Sequence, residues 1–302
     1  MKSNKLITVV GPTAIGKTSL SIELAKAYKT EILSCDSRQF YKEMNIGTAV
    51  PSKDELLAVK HHFIQNRSVF EDYSVGAFEN DALDLLNGMF NKRSVIVMAG
   101  GSGLYVDAVI KGLDDFPKVD PQIREDLKIK LNKEGIEMLQ EQLKVLDPLS
   151  YKRMDIFNKQ RLIRALEICI SQGKPYSHFL GLHAKKRSFD TIKIGLSADR
   201  QVIYDRINHR VDLMIEQGLL EEARSLYANK HLNALQTVGY RELFTYFDGL
   251  ITLEEAINEI KKNTRRFAKR QGTWFRRDPE IKWFDYKTDP NEIISYIESQ
   301  LN

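Results

Sequence analysis

The sequence predicts an α/β chain, with a parallel-sheet core built around a phosphate-binding loop and a separate helical insertion. Three observations carry this. A short run rich in Ile and Val at 6–10 leads straight into Gly11-Pro12-Thr13-Ala14-Ile15-Gly16-Lys17-Thr18, which matches G-x-x-x-x-G-K-[ST] at every fixed position. Leu20, Leu24, Ala25 and Tyr28 then fall at helical spacing. Further strand-like runs at 31–34, 94–98 and 191–196 alternate with helical patterns, the order that builds a parallel sheet. Between 121 and 189 the strand signal stops and amphipathic helices take over. The expected organisation is therefore a P-loop NTPase-like parallel sheet core over 1–120, a helical insertion over 121–189, and a return to the core with basic helices over 190–302.

In the first element, Gly11 and Gly16 let the backbone curl so that successive N–H groups point at a polyphosphate, backed by a helix N-terminus. Lys17 adds a point charge for the outer phosphate oxygens, and the Thr18 hydroxyl is placed to ligate Mg²⁺. Residues 11–18 as a set, including Pro12, Thr13, Ala14 and Ile15, are the expected phosphate cradle. The motif does not distinguish ATP from another diphosphate.

At 302 residues the chain can bury one large core plus a smaller module. Its two cysteines, Cys35 and Cys169, have no metal spacing and make no disulfide framework, so a reducing compartment is expected. A core strand begins almost at once, leaving no room for a leader, and no apolar run approaches the ~20 residues that span a bilayer. A cytoplasmic protein with no membrane partner is the expectation. Net charge is only +4, yet 261–277 holds eight Lys or Arg and no acid.

The second strand ends in Cys35-Asp36-Ser37-Arg38-Gln39, which puts Asp36 beside the phosphate loop at the carboxyl end of the sheet. Asp36 there serves as a magnesium ligand, a capping residue or a general base. His61-His62 has no further Cys or His nearby, so it supports a loop or lines a cavity rather than binding zinc. Residues 78–90 read as a helix with Ala82, Leu85, Leu86 and Met89 inward. Gly100 and Gly101 follow the third strand and imply close backbone approach to a ligand or to a neighbouring helix, with the Ser102 hydroxyl beside them.

In the insertion, 121–146 reads as two helices broken near Gly135. Residues 158–171 form another, with Leu162, Ile163, Leu166 and Ile170 on one side and Gln160, Arg161, Arg164 and Glu167 on the other. Gly173-Lys174-Pro175 ends it, and 181–188 is a connector. Helix 200–217 carries Arg206 and Arg210 four apart, either closing over phosphates or sitting as surface arginines with acidic partners. Residues 218–227 and 253–260 are amphipathic helices. Lys262, Arg265, Arg266, Lys269 and Arg270 make a wide positive face suited to a nucleic acid. Phe267, Trp274 and Phe275, interleaved with it, stack on splayed bases or complete the core. A small strand and a helix close the chain.

The ordered set of these stretches resembles the bacterial tRNA dimethylallyltransferase (tRNA isopentenylpyrophosphate transferase) family. It comprises the phosphate loop, Asp36-Ser37-Arg38-Gln39-Phe40-Tyr41 through Asn45-Ile46-Gly47-Thr48-Ala49, and His61-His62 with Tyr73-Ser74. It continues through Gly100-Gly101-Ser102-Gly103-Leu104-Tyr105, Gln160-Arg161-Leu162-Ile163-Arg164, 206–211, Val238-Gly239-Tyr240, and Lys269-Arg270-Gln271 with Thr273-Trp274-Phe275-Arg276. The likeness runs end to end. It implies transfer of a dimethylallyl group from dimethylallyl diphosphate to N6 of the adenosine 3′ of the anticodon, in tRNAs reading codons that begin with U. Diphosphate leaves and Mg²⁺ is required. It implies Asp36 as general base, with Lys17, Thr18, Arg206 and Arg210 acting on the leaving diphosphate. It also places Asp36, Ser37, Arg38, Gln39, Ser102, Arg124, Gln160, Arg161, Leu162, Ile163, Arg164, Lys269, Arg270 and Gln271 with the tRNA. The insertion would grip the anticodon stem-loop, and the protein would act as a monomer. Ile15, Phe40, Lys42 and Asn45 depart from the family's usual Ser, Val, Arg and Asp. Two other readings share the loop: a small-molecule kinase of the nucleoside or shikimate kind, which leaves the insertion and basic run unexplained, and an RNA-binding P-loop protein without chemistry.

Overall fold

In the computed structural model, which describes residues 3–181 and 185–301, the run Lys5–Val10 is a buried strand, β1. Its residues 6–10 are apolar except for the buried Thr8, as expected of a strand inside a parallel sheet covered on both faces. The chain continues through α1 (Lys17–Ala27), β2 (Ile32–Ser34), α2 (Lys53–Ala58), β3 (His61–His62), α3 (Val75–Phe90), β4 (Val95–Gly100) and α4 (Gly103–Ile110). Then come α5 (Pro121–Glu134), α6 (Ile136–Leu146), α7 (Pro148–Arg153) and α8 (Lys159–Gln172). The sheet resumes with β5 (Asp190–Ser197), followed by α9 (Arg200–Glu216), α10 (Leu219–Leu226), α11 (Tyr240–Phe247), α12 (Leu253–Phe275), β6 (Lys282–Asp285) and α13 (Pro290–Leu301).

Two compact units result, Met1–Ile110 with Arg187–Asn302, and Lys111–Lys186. The larger is a parallel α/β unit whose strands run β3-β2-β4-β1-β5-β6. Register pairs Val10 with both Gly100 and Gly195, so β1 and β4 end level while β5 runs on to Ser197. Gly100 is a glycine because of its neighbour strand: a Cβ there would sit 2.2 Å from the Cys35 carbonyl. Gly103 gives way to Trp274, whose ring would meet its Cβ at 2.4 Å. Neighbouring protein thus accounts for the glycines after β4.

Two elements differ from expectation. The histidine pair is a short edge strand, and His62 bonds Glu31 at 2.6 Å. The amphipathic segment at 253–260 and the basic run are one 23-residue helix, started by a Thr252–Glu255 capping box. Its buried stripe, Ala256, Ile260, Ala268 and Phe275, runs on through the change in charge.

The second unit closes over Leu127, Leu139, Leu143, Leu162, Leu166 and Cys169. Gly135, at φ +88, makes the break between α5 and α6. Glu167, expected on the solvent side of α8, is buried and bonds Arg124 at 2.6 and 2.8 Å and also Arg164. Burial alone would raise its pKa, but the bonds from the two arginines outweigh that and hold the carboxyl low. Of the expected connector, residues 182–184 lie outside the described residues, and Arg187 is anchored on Glu79 (2.8 Å) and the Ala108 carbonyl (2.6 Å).

Candidate active site

The turn after β1 is shaped by close approach on one side and by hydrogen bonds on the other. Gly11 has φ +146, and a Cβ there would fall 2.6 Å from the Leu196 carbonyl. Gly16, at φ +110, delivers the chain into α1. Between them Ala14 holds φ +64, a conformation that non-glycine residues keep only when the surroundings fix it. Arg206 supplies part of that fixing by donating from Nε to the Ala14 carbonyl at 2.7 Å. Gln271 of α12 supplies the rest. Its Oε1 accepts the Thr13 N–H at 2.8 Å, and its Nε2 donates to the Gly101 carbonyl at 2.9 Å. A Cβ on Gly101 would lie 2.2 Å from that Nε2, so the glycine makes room for the glutamine. Gln271 was expected against tRNA; it is buried and ties the phosphate loop to the end of β4 instead.

Lys17 donates from Nζ to the Pro12 carbonyl at 2.8 Å. Burial lowers its pKa to about 8; the nearby Asp36 charge opposes the shift and Arg210 adds to it. Burial also lowers the pKa of Arg210, with Arg206 contributing and Asp36 opposing. An anion in the cradle favours the ammonium form. Affinity for inorganic diphosphate is therefore expected to hold below about pH 8 and weaken as pH rises through it. Calorimetric titration across that range checks this. A Lys17→Met variant should lack the inflection, and a wild-type profile matching that variant would contradict the assignment.

A cavity of about 500 Å³ opens at this edge of the sheet, within the ~300–1,000 Å³ usual for small-molecule sites. One end is the loop, with Lys17 and Thr18. Asp36 and Arg210 line it, and Ile46, Val50, Leu213 and Met214 give an apolar region. His61 lines it too, its pKa lowered by burial. A second cavity of about 110 Å³ shares Thr13, Asp36, Thr48, Ala49, Arg210 and Met214 with the first, and adds Arg38, Val238 and Phe267. Asp36 therefore borders both spaces.

The residues around Asp36 hold one another. Asp36 Oδ1 accepts the Arg38 N–H at 3.2 Å, and the Arg38 side chain donates to the Ala234 carbonyl at 3.1 Å. Ser102 accepts the Ser37 N–H at 3.0 Å and pairs with its hydroxyl at 3.1 Å. Gln39 donates to the Ala49 carbonyl at 2.8 Å. Lys269 and Arg270 are exposed on α12, with Arg270 over the Phe267 ring. The rest of the positive face is partly paired, Lys261 with Asp212, Lys262 with Glu259 and Arg265 with Asn208. Phe267 is exposed, Trp274 bonds Asp107 at 2.9 Å, and Phe275 is core.

In the helical unit Gln160 and Arg161 are exposed, and Arg124 and Arg164 are bound to Glu167. Leu162 and Ile163, expected with the tRNA contacts, are core residues that fix α8 instead. Among the described residues no three His, Cys, Asp or Glu cluster as a metal cage, and no helix is long and apolar enough to cross a membrane.

The model of the IPP transferase family matches residues 39–278. The chain is 63% identical to the tRNA dimethylallyltransferase of Christiangramia forsetii, over 99% of each chain. It is 59% identical to that of Flavobacterium johnsoniae, over 98% of each. Among solved structures, the full-length tRNA isopentenylpyrophosphate transferase from Bacillus halodurans is similar with a TM-score of 0.73 and 39% identity, covering 99% of this chain and 97% of that one. With its family model matched across most of its length and full-length relatives this close, the chain belongs to the IPP transferase family.

Proposed function

We propose that this chain transfers the dimethylallyl group from dimethylallyl diphosphate to N6 of the adenosine immediately 3′ of the anticodon, in tRNAs reading codons that begin with U. The observation that carries the reading is the place of Asp36, which lines both a cavity that starts at the phosphate loop and a second, smaller cavity. The core is read as P-loop NTPase-like, on the strength of the strand, glycine loop and helix around Lys17.

The donor's diphosphate sits on the loop amides and Lys17, with its hydrocarbon end toward Ile46, Val50, Leu213 and Met214. The adenosine leaves its stack and enters from the smaller cavity, a cost repaid by contacts to base and backbone. An exocyclic amine conjugated to the ring is a weak nucleophile. Asp36 accepts the N6 proton as the N6–C1 bond forms and the C1–O bond breaks. The electron pair leaves with diphosphate, and Lys17 and Arg210 stabilise the charge that grows there. Arg206 acts through the loop, by its bond to Ala14. Thr18, in the first turn of α1 and lining the cavity, is the residue whose hydroxyl would hold a Mg²⁺ there, a cation that is commonly bound without a dedicated protein cage. Such an ion, when bound, neutralises charge on the leaving group.

The exposed cations of α12, Lys269 and Arg270, and of α8, Arg161, are offered to the anticodon stem-loop. Ser37, Arg38, Gln39 and Ser102 are read as the tRNA-contacting patch around Asp36; of these, Arg38 lines the smaller cavity, and Ser37, Ser102 and Gln39 hold the turn that carries it. The protein acts as a monomer in the cytoplasm, where its tRNA is. The test is incubation with tRNA, dimethylallyl diphosphate and Mg²⁺ in the absence of ATP. Prenylated adenosine and free diphosphate are expected; strict ATP dependence with ADP release would overturn the reading.

A further inference from the structure

Two stretches that carry the family resemblance, Asn45-Ile46-Gly47-Thr48-Ala49 and Val238-Gly239-Tyr240, meet at one carboxylate, Glu222 of α10. Its Oε2 accepts the N–H groups of Asn45 at 3.0 Å and Ile46 at 2.8 Å. Its Oε1 accepts the Gly47 N–H at 2.9 Å and the Tyr240 hydroxyl at 2.6 Å. Three successive amides converging on one acid make the kind of nest that binds anions, here filled by the protein's own side chain. Tyr240 is fully buried, and a Cβ on Gly47 would lie 2.7 Å from its ring, so the loop and the ring close on each other.

The opposite polarity of the loop is also satisfied. Gln39 Nε2 donates to the carbonyls of Ala49 at 2.8 Å and Thr48 at 3.3 Å. Ala49 keeps φ +52, a left-handed conformation that persists only where neighbours over-determine it. The loop so held is a wall of both cavities: Ile46 and Val50 line the larger, Gly47 the smaller, and Thr48 and Ala49 line both.

We infer that Glu222, with Tyr240, is the positioning residue that fixes this partition, and so sets how long a donor chain fits and how it meets Asp36. Glu222 acts through the backbone of 45–47. The inference rests on the transferase reading above.

Glu222→Gln presents an NH₂ donor where the loop offers only N–H donors, turning at least one attraction into a repulsion. It is expected to lower kcat by about 10–100-fold, since a displacement near 1 Å of a reacting group can cost ~10². It should also cut the preference for dimethylallyl over geranyl diphosphate, as a ratio of kcat/KM, by about tenfold, one methylene in a pocket being worth ~10–200-fold. Inorganic diphosphate, which needs only the phosphate loop, should bind within about twofold of wild type. Glu222→Asp keeps the charge and should recover part of both losses. Tyr240→Phe should move the ratio in the same direction by less.

A donor ratio unchanged in a folded Glu222→Gln variant would overturn the inference. So would loss of activity, diphosphate binding and cooperative melting together, since that marks a purely structural residue. A wild-type protein that prenylates no tRNA would end both this inference and the functional reading, whereas an active wild type with an indifferent variant would end the inference alone.

Discussion

Asp36→Asn is expected to lower the rate of dimethylallyl transfer by roughly 10²–10⁴-fold while leaving tRNA binding mostly intact. The substitution keeps the shape of the side chain and one oxygen to accept the Arg38 N–H, so the turn should survive. What it removes is the group that takes the N6 proton at the junction of the two cavities. Single-turnover rates with saturating tRNA and donor, beside a filter-binding measurement, separate the two effects. An RNA-binding protein without chemistry predicts the reverse pattern, with affinity altered more than turnover.

Lys17→Met should cost about 10²–10³-fold in kcat, the usual loss when one donor to developing negative charge is removed. Inorganic diphosphate binding should weaken with it. The loop itself is not held by this side chain. Gln271 and Arg206 brace Thr13 and Ala14 from α12 and α9, so the variant should fold. The direction of the stability change follows from the depressed pKa. A lysine at about 8 in the folded protein and near 10.5 when unfolded binds fewer protons folded than unfolded between those values. Its charge therefore costs stability below pH 8, and the cost is relieved as pH rises toward 10.5. At neutral pH the methionine variant should be at least as stable as wild type by denaturant titration, while failing as a catalyst. A variant that is both inactive and unfolded would show that Lys17 serves the fold.

The sequence was most legible where chemistry and local structure share the same few residues. Around Gly11 to Thr18, strand, glycines and helix are contiguous, so pattern alone located the loop and put Asp36 at its side. It was least legible where a side chain reaches a partner distant in the chain. Glu222 looks like any acid in the first turn of a helix, and nothing local says that it collects amides from 45–47. Gln271 sits among arginines in the sequence, and its spacing from Ala268 and Phe275 puts it on the buried stripe of α12, opposite the basic face; only the approach of the phosphate loop shows what it reaches there. Glu167 read as solvated for the same reason, because Arg124 lies far upstream. Leu162 and Ile163 teach a different point. Their periodicity assigned them to the buried side, whereas the family motif that includes them suggested contact with tRNA, and the packing follows the periodicity. The edge strand at His61-His62 left no trace because two histidines carry no strand pattern of their own.

The central claim is that an allylic diphosphate held at Lys17 and an unstacked adenine meet at Asp36 from separate cavities. A crystal structure with an unreactive thiolo-diphosphate analogue of the donor and an anticodon stem-loop tests this most directly. The account predicts the donor C1 about 3–3.5 Å from adenine N6, with the Asp36 carboxylate within hydrogen-bond reach of that nitrogen. An adenine bound away from Asp36, or a diphosphate seated anywhere but on the loop of Lys17, would contradict it.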